Sequence, residues 1–512
     1  MDFLKNRDLK NVPTIYEYYK GKTIFITGGT GFMGKVLVEK LLYSCSELDR
    51  IYLLLRNKKG VKAEERLASL YSSKCFDRLR KEKPDIFQKK VFFIAGDCSE
   101  IGLGICAEDR TLIVNRTNII FHVAASVRFD DSLKTAARLN LRGTKEMVEL
   151  AKEVRHLEVL VHVSTSYANT NRKCIEEVIY PAFADWRDTL DICENIDDHM
   201  LNALTPKYLG ELPNTYVFTK QLAEHVLAEQ KGKLPIVIMR PSIVISSHTE
   251  PLVGWIENLN GPVGMMIASG KGILRTMYTN PDLEADYIPV DVCIKSFIAG
   301  AWARGTQKLK PTDEIDVYNC SSSHMKTMTM GEVVDYGKKI VREIPLEGML
   351  WYAGGSLTTS RLMYYFKVLF FHLLPAVLVD LVLRITGNKP MLVKLQRRIY
   401  TANLALHYYV TQQWTFTNKN IIELREKIRE EDRDHFYYEM ETINPEEFFK
   451  NACIGGKEYI LNERMENLPK AKAHFRRMEL LDRVVSTAIQ GYVLWFLLNI
   501  GFVKRFLQSI FY

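Results

Sequence analysis

The sequence predicts an α/β fold: a doubly wound parallel sheet, followed by a C-terminal mainly helical domain and a hydrophobic C-terminal tail. Three observations predict it. Short apolar runs alternate with helical patterns over residues 14–300. Those runs are rich in Val, Ile, Leu and Phe without clean alternation, which suits strands buried on both faces. Beyond about Pro311 longer helical patterns take over. Strand–helix–strand repetition implies a parallel sheet wound by right-handed crossovers.

In chain order the expected strands are Lys22–Thr27, Ile51–Leu55, Val91–Ala95, Ile119–Val123, Val159–Val163 and Ile236–Met239. Helical patterns between them include Phe32–Tyr43, Leu133–Val154 and Thr219–Gln230. A helical domain is expected over 355–460. Within that region Thr411–Asn420 reads as a polar break, and the charge run Glu423–Asp434 as a solvated helix face. Val368–Val379, 12 residues with Pro375 inside, reads as a core helix, with a lipid-entry surface as the alternative.

Val484–Val503 is 20 residues without a charge, the length that crosses a bilayer core. Lys470, Lys472, Arg476, Arg477 and Arg483 precede it, and Lys504 and Arg505 follow. The expectation is a membrane-anchoring or transmembrane helix at 484–503, with the catalytic domain facing the cytosol by the positive-inside rule. A buried or amphipathic terminal helix is the alternative.

Composition narrows the function classes. The 512 residues are 47% hydrophobic and 25% charged, which excludes a disordered tail protein, a collagen-like fibre and a polytopic membrane protein. Sixty-nine Lys and Arg against 61 Asp and Glu give a net charge of +8. That mild excess suits phosphate-bearing ligands or an anionic membrane, and no dense basic stripe asks for nucleic acid. The nine cysteines are scattered without a Cys-x-x-Cys pair, so neither a metal site nor a disulfide framework is expected. The charged N-terminus has no signal-peptide core, and a reducing, cytosol-facing compartment is expected.

The first expected strand runs straight into Gly28-Gly29-Thr30-Gly31-Phe32-Met33-Gly34 and then a helical pattern. Glycines at 28, 31 and 34 let backbone N–H groups approach a pyrophosphate at a helix N-terminus, a sign of dinucleotide binding in this strand–turn–helix context. Thr27, Thr30 and Phe32 belong to the same turn. At the end of the second strand stands Arg56, where NAD-selecting folds carry an acidic residue. A guanidinium there can fork onto a 2′-phosphate, so NADPH is the expected cofactor. Asp97 and Cys98 end the third strand, Asp97 being placed to accept from an adenine amino group, and Ala124 and Ala125 end the fourth.

Tyr216 and Lys220 stand four apart, on one helix face. A neighbouring ammonium is expected to lower the phenol's pKa and prepare it to donate to a carbonyl oxygen. Ser164-Thr165-Ser166 ends the fifth strand and offers hydroxyls to polarise the same carbonyl. His122 and His162 read as packing residues. Lys271 and Arg275, beside Gly270 and Gly272, are either contacts for ligand phosphates or exposed bases on a tight turn.

Together, Thr27-Gly28-x-x-Gly31-Phe32-x-Gly34, the Ser164-Thr165 strand end, Tyr216-x-x-x-Lys220 and Arg240-Pro241-Ser242 resemble the extended short-chain dehydrogenase/reductase pattern, a Rossmann fold. More narrowly, Pro213–Tyr216, Gly254-Trp255-Ile256-Glu257-Asn258-x-Asn260-Gly261-Pro262 and Gly270–Arg275 resemble the fatty acyl-CoA reductases of the male-sterility type. The resemblance implies NADPH-dependent reduction of a long-chain acyl-CoA to a primary alcohol through an aldehyde. It implies catalytic roles for Tyr216, Lys220 and Thr165, with Ser164 and Ser166 as fallbacks, and cofactor contacts from Asn140, Pro241 and Ser242. It also implies an acyl tunnel in the 355–460 region and an endoplasmic-reticulum or peroxisomal membrane. An aldehyde-releasing reductase, another extended dehydrogenase acting on a steroid or sugar nucleotide, and a non-catalytic membrane-tethered NADP-binding scaffold remain as alternatives.

Overall fold

The computed structural model describes residues 12–57 and 60–499. Its centre is a seven-stranded sheet in which every neighbouring pair is parallel. The strands are β1 (Thr23–Thr27), β2 (Arg50–Leu55), β3 (Val91–Ala95), β4 (Ile119–His122), β5 (Val159–Val163), β6 (Ile236–Pro241) and β7 (Asp316–Cys320). Six of them occupy the apolar runs, and the seventh lies beyond residue 300. Their spatial order is β7-β6-β5-β4-β1-β2-β3. The winding therefore reverses between β1 and β4, which opens a crevice at the carboxyl ends of those two strands.

Continuous apolar runs form these strands because both faces are covered. Ile24, Phe25 and Ile26 of β1 and Ile119, Ile120 and Phe121 of β4 are all fully buried. Each such side chain contributes about 1.5–3 kcal/mol by leaving water.

The chain forms two compact units that interleave in sequence. The first reaches to Gly261 and takes up Glu284–Met328 and Tyr408–Ala452. The second comprises Pro262–Leu283, Thr329–His407 and the chain from Cys453 onward. In the first unit, the charge run Glu423–Asp434 is not one solvated helix. Helices Lys419–Arg425 and Glu430–Phe436 flank a break, and Ile421, Leu424 and Ile428 are buried. Asp432 is buried too, and its carboxylate accepts from the backbone N–H of Ile15 at 2.7 Å.

In the second unit, Val368–Val379 is not core. It lies in a helical run from Arg361 to Ile385 that contains a π-turn at Val368–Leu373. Of that run only His372, Ala376 and Asp380, spaced four apart, are buried. Pro375 sits in the first turn of helix Leu374–Ile385, just after the π-turn, where its missing N–H does little harm. The helix Leu468–Asn499 is held to its unit where Phe475 packs with Val341 and Met349. The expected segment 484–503 begins inside this helix; Val484, Trp495 and Phe496 are exposed, and 500–503 lie outside the described residues.

Candidate active site

At the carboxyl end of β1 the chain turns through Gly28, whose φ of +75° is left-handed. A Cβ on Gly28 would stand 2.7 Å from the Ala124 nitrogen, and one on Gly34 would stand 2.2 Å from the Gly28 carbonyl oxygen. Only glycine fits either position. Gly31 is the N-cap of helix Phe32–Ser44, and no side chain caps it, so the first-turn N–H groups stay available for an anion. Thr27 Oγ1 accepts from Ala124 N at 3.2 Å and meets His122 Nδ1 at 2.8 Å, tying the ends of β1 and β4 together. Phe32 stacks on Trp255, with ring centroids 5.0 Å apart. A dinucleotide's pyrophosphate fits this cradle, by its shape and by its unpaired donors.

Arg56, at the end of β2, donates to Asp97 Oδ2 at 3.0 Å. Asp97 Oδ1 accepts from Ser99 N and Oγ, both at 2.9 Å, so both carboxylate oxygens already have donors. These bonds outweigh burial and lower the Asp97 pKa. Sequence reasoning passed over Arg66. Its guanidinium donates to the Arg56 carbonyl oxygen at 2.6 Å and to Thr30 Oγ1 at 2.8 Å, putting a second cation beside the glycine turn. Cys98 is buried and its thiol is pushed up to about 12 by that burial, which leaves it a packing residue against Gly143.

Helix Thr215–Ala228 starts four residues earlier than its pattern predicts, because the Asn214 side chain caps it by accepting from Val217 N at 3.0 Å. That start places Tyr216 in the first turn and Lys220 one turn on. Burial pushes the Tyr216 phenol up to about 12, and the Thr165 hydroxyl pulls the other way. The expected lowering by Lys220 is absent: Lys220 Nζ is buried and donates to the Val163 carbonyl oxygen at 2.7 Å. Burial in turn draws Lys220 down to about 8, partly opposed by Glu224. Tyr216 is therefore a protonated donor at neutral pH.

The three hydroxyls after β5 separate by partner. Ser164 donates to Glu224 Oε1 at 2.5 Å and Ser166 to the Arg240 carbonyl oxygen at 2.6 Å. Thr165 Oγ1 donates to the Pro241 carbonyl oxygen at a long 3.4 Å, accepts from Tyr167 N at 3.2 Å and lies on the Tyr216 side. Behind them Arg240 is fully buried and holds Glu224 through Nε at 2.8 Å and Nη2 at 2.6 Å. Arg240-Pro241-Ser242 thus includes a buried ion pair under the strand ends, with Ser242 buried at the end of β6. Asn140 is buried in a π-turn, Ala137–Arg142. Its Oδ1 accepts from Ser126 N at 2.8 Å and its Nδ2 donates to Thr219 Oγ1 at 3.0 Å. Ala125 follows Ala124 in the same half-buried turn.

One side of Tyr216 is an aromatic wall that local sequence spacing does not reveal. Phe129 lies 5.9 Å from Tyr216 and 5.1 Å from Tyr409 between ring centroids. Tyr409 accepts from Asn214 Nδ2 at 2.8 Å, and Tyr167 stands edge-on to Tyr409 at 5.5 Å. Nearly 200 residues separate Tyr216 from Tyr409, so only the fold brings them together. Lys271 and Arg275 are not exposed bases on a turn. Within the second unit, Lys271 pairs with Glu463 at 2.5 Å and Arg275 with Asp482 at 3.4 Å. That unit also holds an apolar cavity of about 60 Å³, lined by Met266, Leu274, Met277, Val333, Val341 and Leu357 among others; none of the expected site residues lines it.

Comparison with known proteins settles the family. Two sequence families, both described as Male sterility protein, match residues 26–297 and 371–463. Fatty acyl-CoA reductase 1 of Mus musculus is 41% identical over 465 residues, covering 91% of this chain and 90% of that protein. The chain belongs to the fatty acyl-CoA reductase family. Other members include Fatty acyl-CoA reductase 1 of Homo sapiens, 40% identical over the same share of each chain, and Fatty acyl-CoA reductase wat of Drosophila melanogaster, 35% identical over 95% of this chain and 93% of that protein.

The fold of this fatty acyl-CoA reductase family member also has solved counterparts. The reductase domain of a nonribosomal peptide synthetase from Mycobacterium tuberculosis superposes with a TM-score of 0.58 at 18% identity, covering 90% of this chain and 96% of that one. The terminal R domain of the myxalamid PKS-NRPS pathway gives 0.55 at 16%, covering 88% and 94%. The family's NAD-binding region spans the glycine turn and the Tyr216 helix, so the cofactor is a nicotinamide dinucleotide.

Proposed function

We propose that this chain reduces a long-chain fatty acyl-CoA to the primary alcohol in two NADPH-dependent steps, with Tyr216, Thr165 and Lys220 as its catalytic residues. The observation that carries the reading is the bond from Lys220 Nζ to the Val163 carbonyl oxygen, which holds the Tyr216 helix against the Thr165 end of β5, in the sheet whose strand ends also form the glycine cradle.

Gly28, Gly31 and Gly34 would hold the pyrophosphate against the helix N-terminus. Arg56 and Arg66 would meet the 2′-phosphate that distinguishes NADPH, with Arg56 leaving Asp97 to do so. Thr27, Thr30, Phe32, Asp97, Cys98, Ala124, Ala125, Asn140, Pro241 and Ser242 shape the remainder of the cofactor site. The bound nicotinamide would supply hydride to the thioester carbon; collapse of the resulting oxyanion would break the C–S bond and expel CoA as a thiolate that takes a proton from water, and a second reduced nicotinamide would supply hydride to the aldehyde carbon.

Tyr216 and Thr165 donate hydrogen bonds to the carbonyl oxygen as negative charge gathers on it. In the aldehyde step Tyr216 delivers its proton to that oxygen. Lys220, its ammonium aimed at the strand-end carbonyl of Val163, orients the nicotinamide ribose. Asn140 and the Glu224–Arg240 pair position the strand ends and the Tyr216 helix. Phe129, Tyr167 and Tyr409 exclude water from one side of the reacting carbon.

The membrane is part of the reading. The described helix long and apolar enough to cross one is Arg361–Ile385. The exposed apolar end of helix Leu468–Asn499 is proposed as the C-terminal anchor, with the catalytic unit in the cytosol at an endoplasmic-reticulum or peroxisomal membrane.

The test is NADPH consumption with palmitoyl-CoA, followed together with titration of the CoA thiol released. Two NADPH per thiol, with NADH poorer by about tenfold or more, is the expected result. One NADPH per thiol means the aldehyde is released, and none overturns the reading.

A further inference from the structure

The second unit carries an apolar surface that the catalytic reading leaves unused. Along Arg361–Ile385 the stripe His372, Ala376 and Asp380 faces the protein, while Leu362 is 83% exposed and Ile385 78%. A turn follows, with Gly387 at φ +78°, and then helix Leu392–Val410. Asp380 closes this hairpin by accepting from the N–H groups of Met391, Leu392 and Val393, each at 2.9 Å.

Both arms return to one place. Tyr364 on the outgoing arm and His407 on the returning arm each pack against Tyr278, at 6.0 and 5.4 Å between ring centroids. Lys367 Nζ also donates to Ser356 Oγ at 2.9 Å, and Gln396 Nε2 to the Ile273 carbonyl oxygen at 3.1 Å.

This geometry decides between crossing a membrane and lying on one. Were Arg361–Ile385 to cross, the turn at 386–391 would stand on the far side. Leu392–His407 would then have to come back through the hydrocarbon with Lys394, Arg397 and Arg398, which are exposed and cannot be desolvated cheaply there. The helix therefore has the length of a span without the topology of one.

Charge names the occupant. Residues 361–410 carry seven Lys and Arg against a single acid, Asp380, whose carboxylate is bound to the turn. Lys389, Lys394, Arg397 and Arg398 make no ion pair among the described residues. Large apolar side chains next to unpaired cations match the acyl region and headgroups of one anionic leaflet.

We propose that the hairpin 361–407 is a monotopic membrane-binding element, immersed in the cytosolic leaflet of an anionic bilayer and separate from any C-terminal anchor. It rests on the surface of the second unit alone and holds whether or not the catalytic assignment does.

The experiment uses the full chain on vesicles of phosphatidylcholine and phosphatidylserine at about 7:3, with an environment-sensitive fluorescent amino acid at Leu378 or at Asn388. At Leu378 the expected result is blue-shifted emission, quenched severalfold by nitroxide-labelled lipid. That quenching should fall severalfold in phosphatidylcholine alone. At Asn388 iodide added outside intact vesicles should quench freely. Protection of Asn388 until the vesicles are opened means that the helix crosses, and overturns the proposal. A Leu378 label blind to lipid nitroxide while the chain floats with the vesicles shows attachment elsewhere, and also overturns it. Neither readout needs turnover, so failure of the catalytic reading would not be mistaken for failure here.

Discussion

Strand β4 and the run from Leu369 to Leu374 are both short stretches of large apolar side chains, and they meet opposite fates. Phe121 is fully buried, whereas Leu369 is 49% exposed and Phe371 46%. In β4 protein covers both faces of the strand. In the outgoing helix of the hairpin only His372, Ala376 and Asp380 are buried, and the large apolar side chains around them stay exposed. Composition fixes what solvent a segment prefers, but its neighbours decide which solvent it meets. The hairpin needs a non-aqueous neighbour that the described residues do not supply.

The comparison is broken most forcefully at the level of chemistry. Tyr216→Phe removes the proton donor from the first unit while keeping its ring against Phe129. It should lower turnover by about 10²–10⁴-fold. Leu369→Ala, in detergent with soluble acyl-CoA, should leave turnover within about twofold. Initial rates of NADPH loss measure both. Full activity in Tyr216→Phe would leave the site without its acid.

Stability separates the two regions next. Phe121→Ala opens a cavity between packed layers and should cost about 3–5 kcal/mol. Phe370→Ala truncates a side chain already 44% exposed. In detergent it should stay within about 0.5 kcal/mol of the parent. Denaturant midpoints of the two variants, read from tryptophan fluorescence, test this. Equal losses would mean that the hairpin is packed against protein after all.

The same contrast explains what could be read in advance. The glycine turn and β1 were legible because the constraint is local: a strand, three glycines and a helix follow one another within residues 23–44. Thr165 stood out from Ser164 and Ser166 only through the family resemblance, whereas Tyr216 and Lys220 were legible as a spacing. Their electrostatics were not, because burial pushes Tyr216 up where proximity to a lysine suggested the reverse. Arg66 is separated from its turn by an intervening strand, and Tyr409 reaches Tyr216 from almost 200 residues away, so no window of sequence contains either contact. The hairpin was misplaced for a third reason. Reading an apolar run as core assumes water outside, and the chain alone does not state its solvent.

The smallest effect is the sharpest probe of how dry the first unit is. Burial lowers Lys220 to about 8, well under its ordinary value. Between those two pKa values the unfolded chain binds the proton that the folded chain has released, so stability rises with pH through that window. Below about pH 8 both states hold the proton and the slope vanishes. Lys220→Met carries no such proton. The stability of the parent relative to Lys220→Met should therefore climb by about 1 kcal/mol from pH 8 to pH 9. Phe370→Ala removes no titrating group and supplies the flat control. A difference that falls with pH, or stays level, would mean that the Lys220 ammonium is stabilised in the fold by more than the Val163 carbonyl and the Glu224 carboxylate one turn along the helix. The tuning of Tyr216 by its lysine neighbour, absent from the geometry, would then have to be restored.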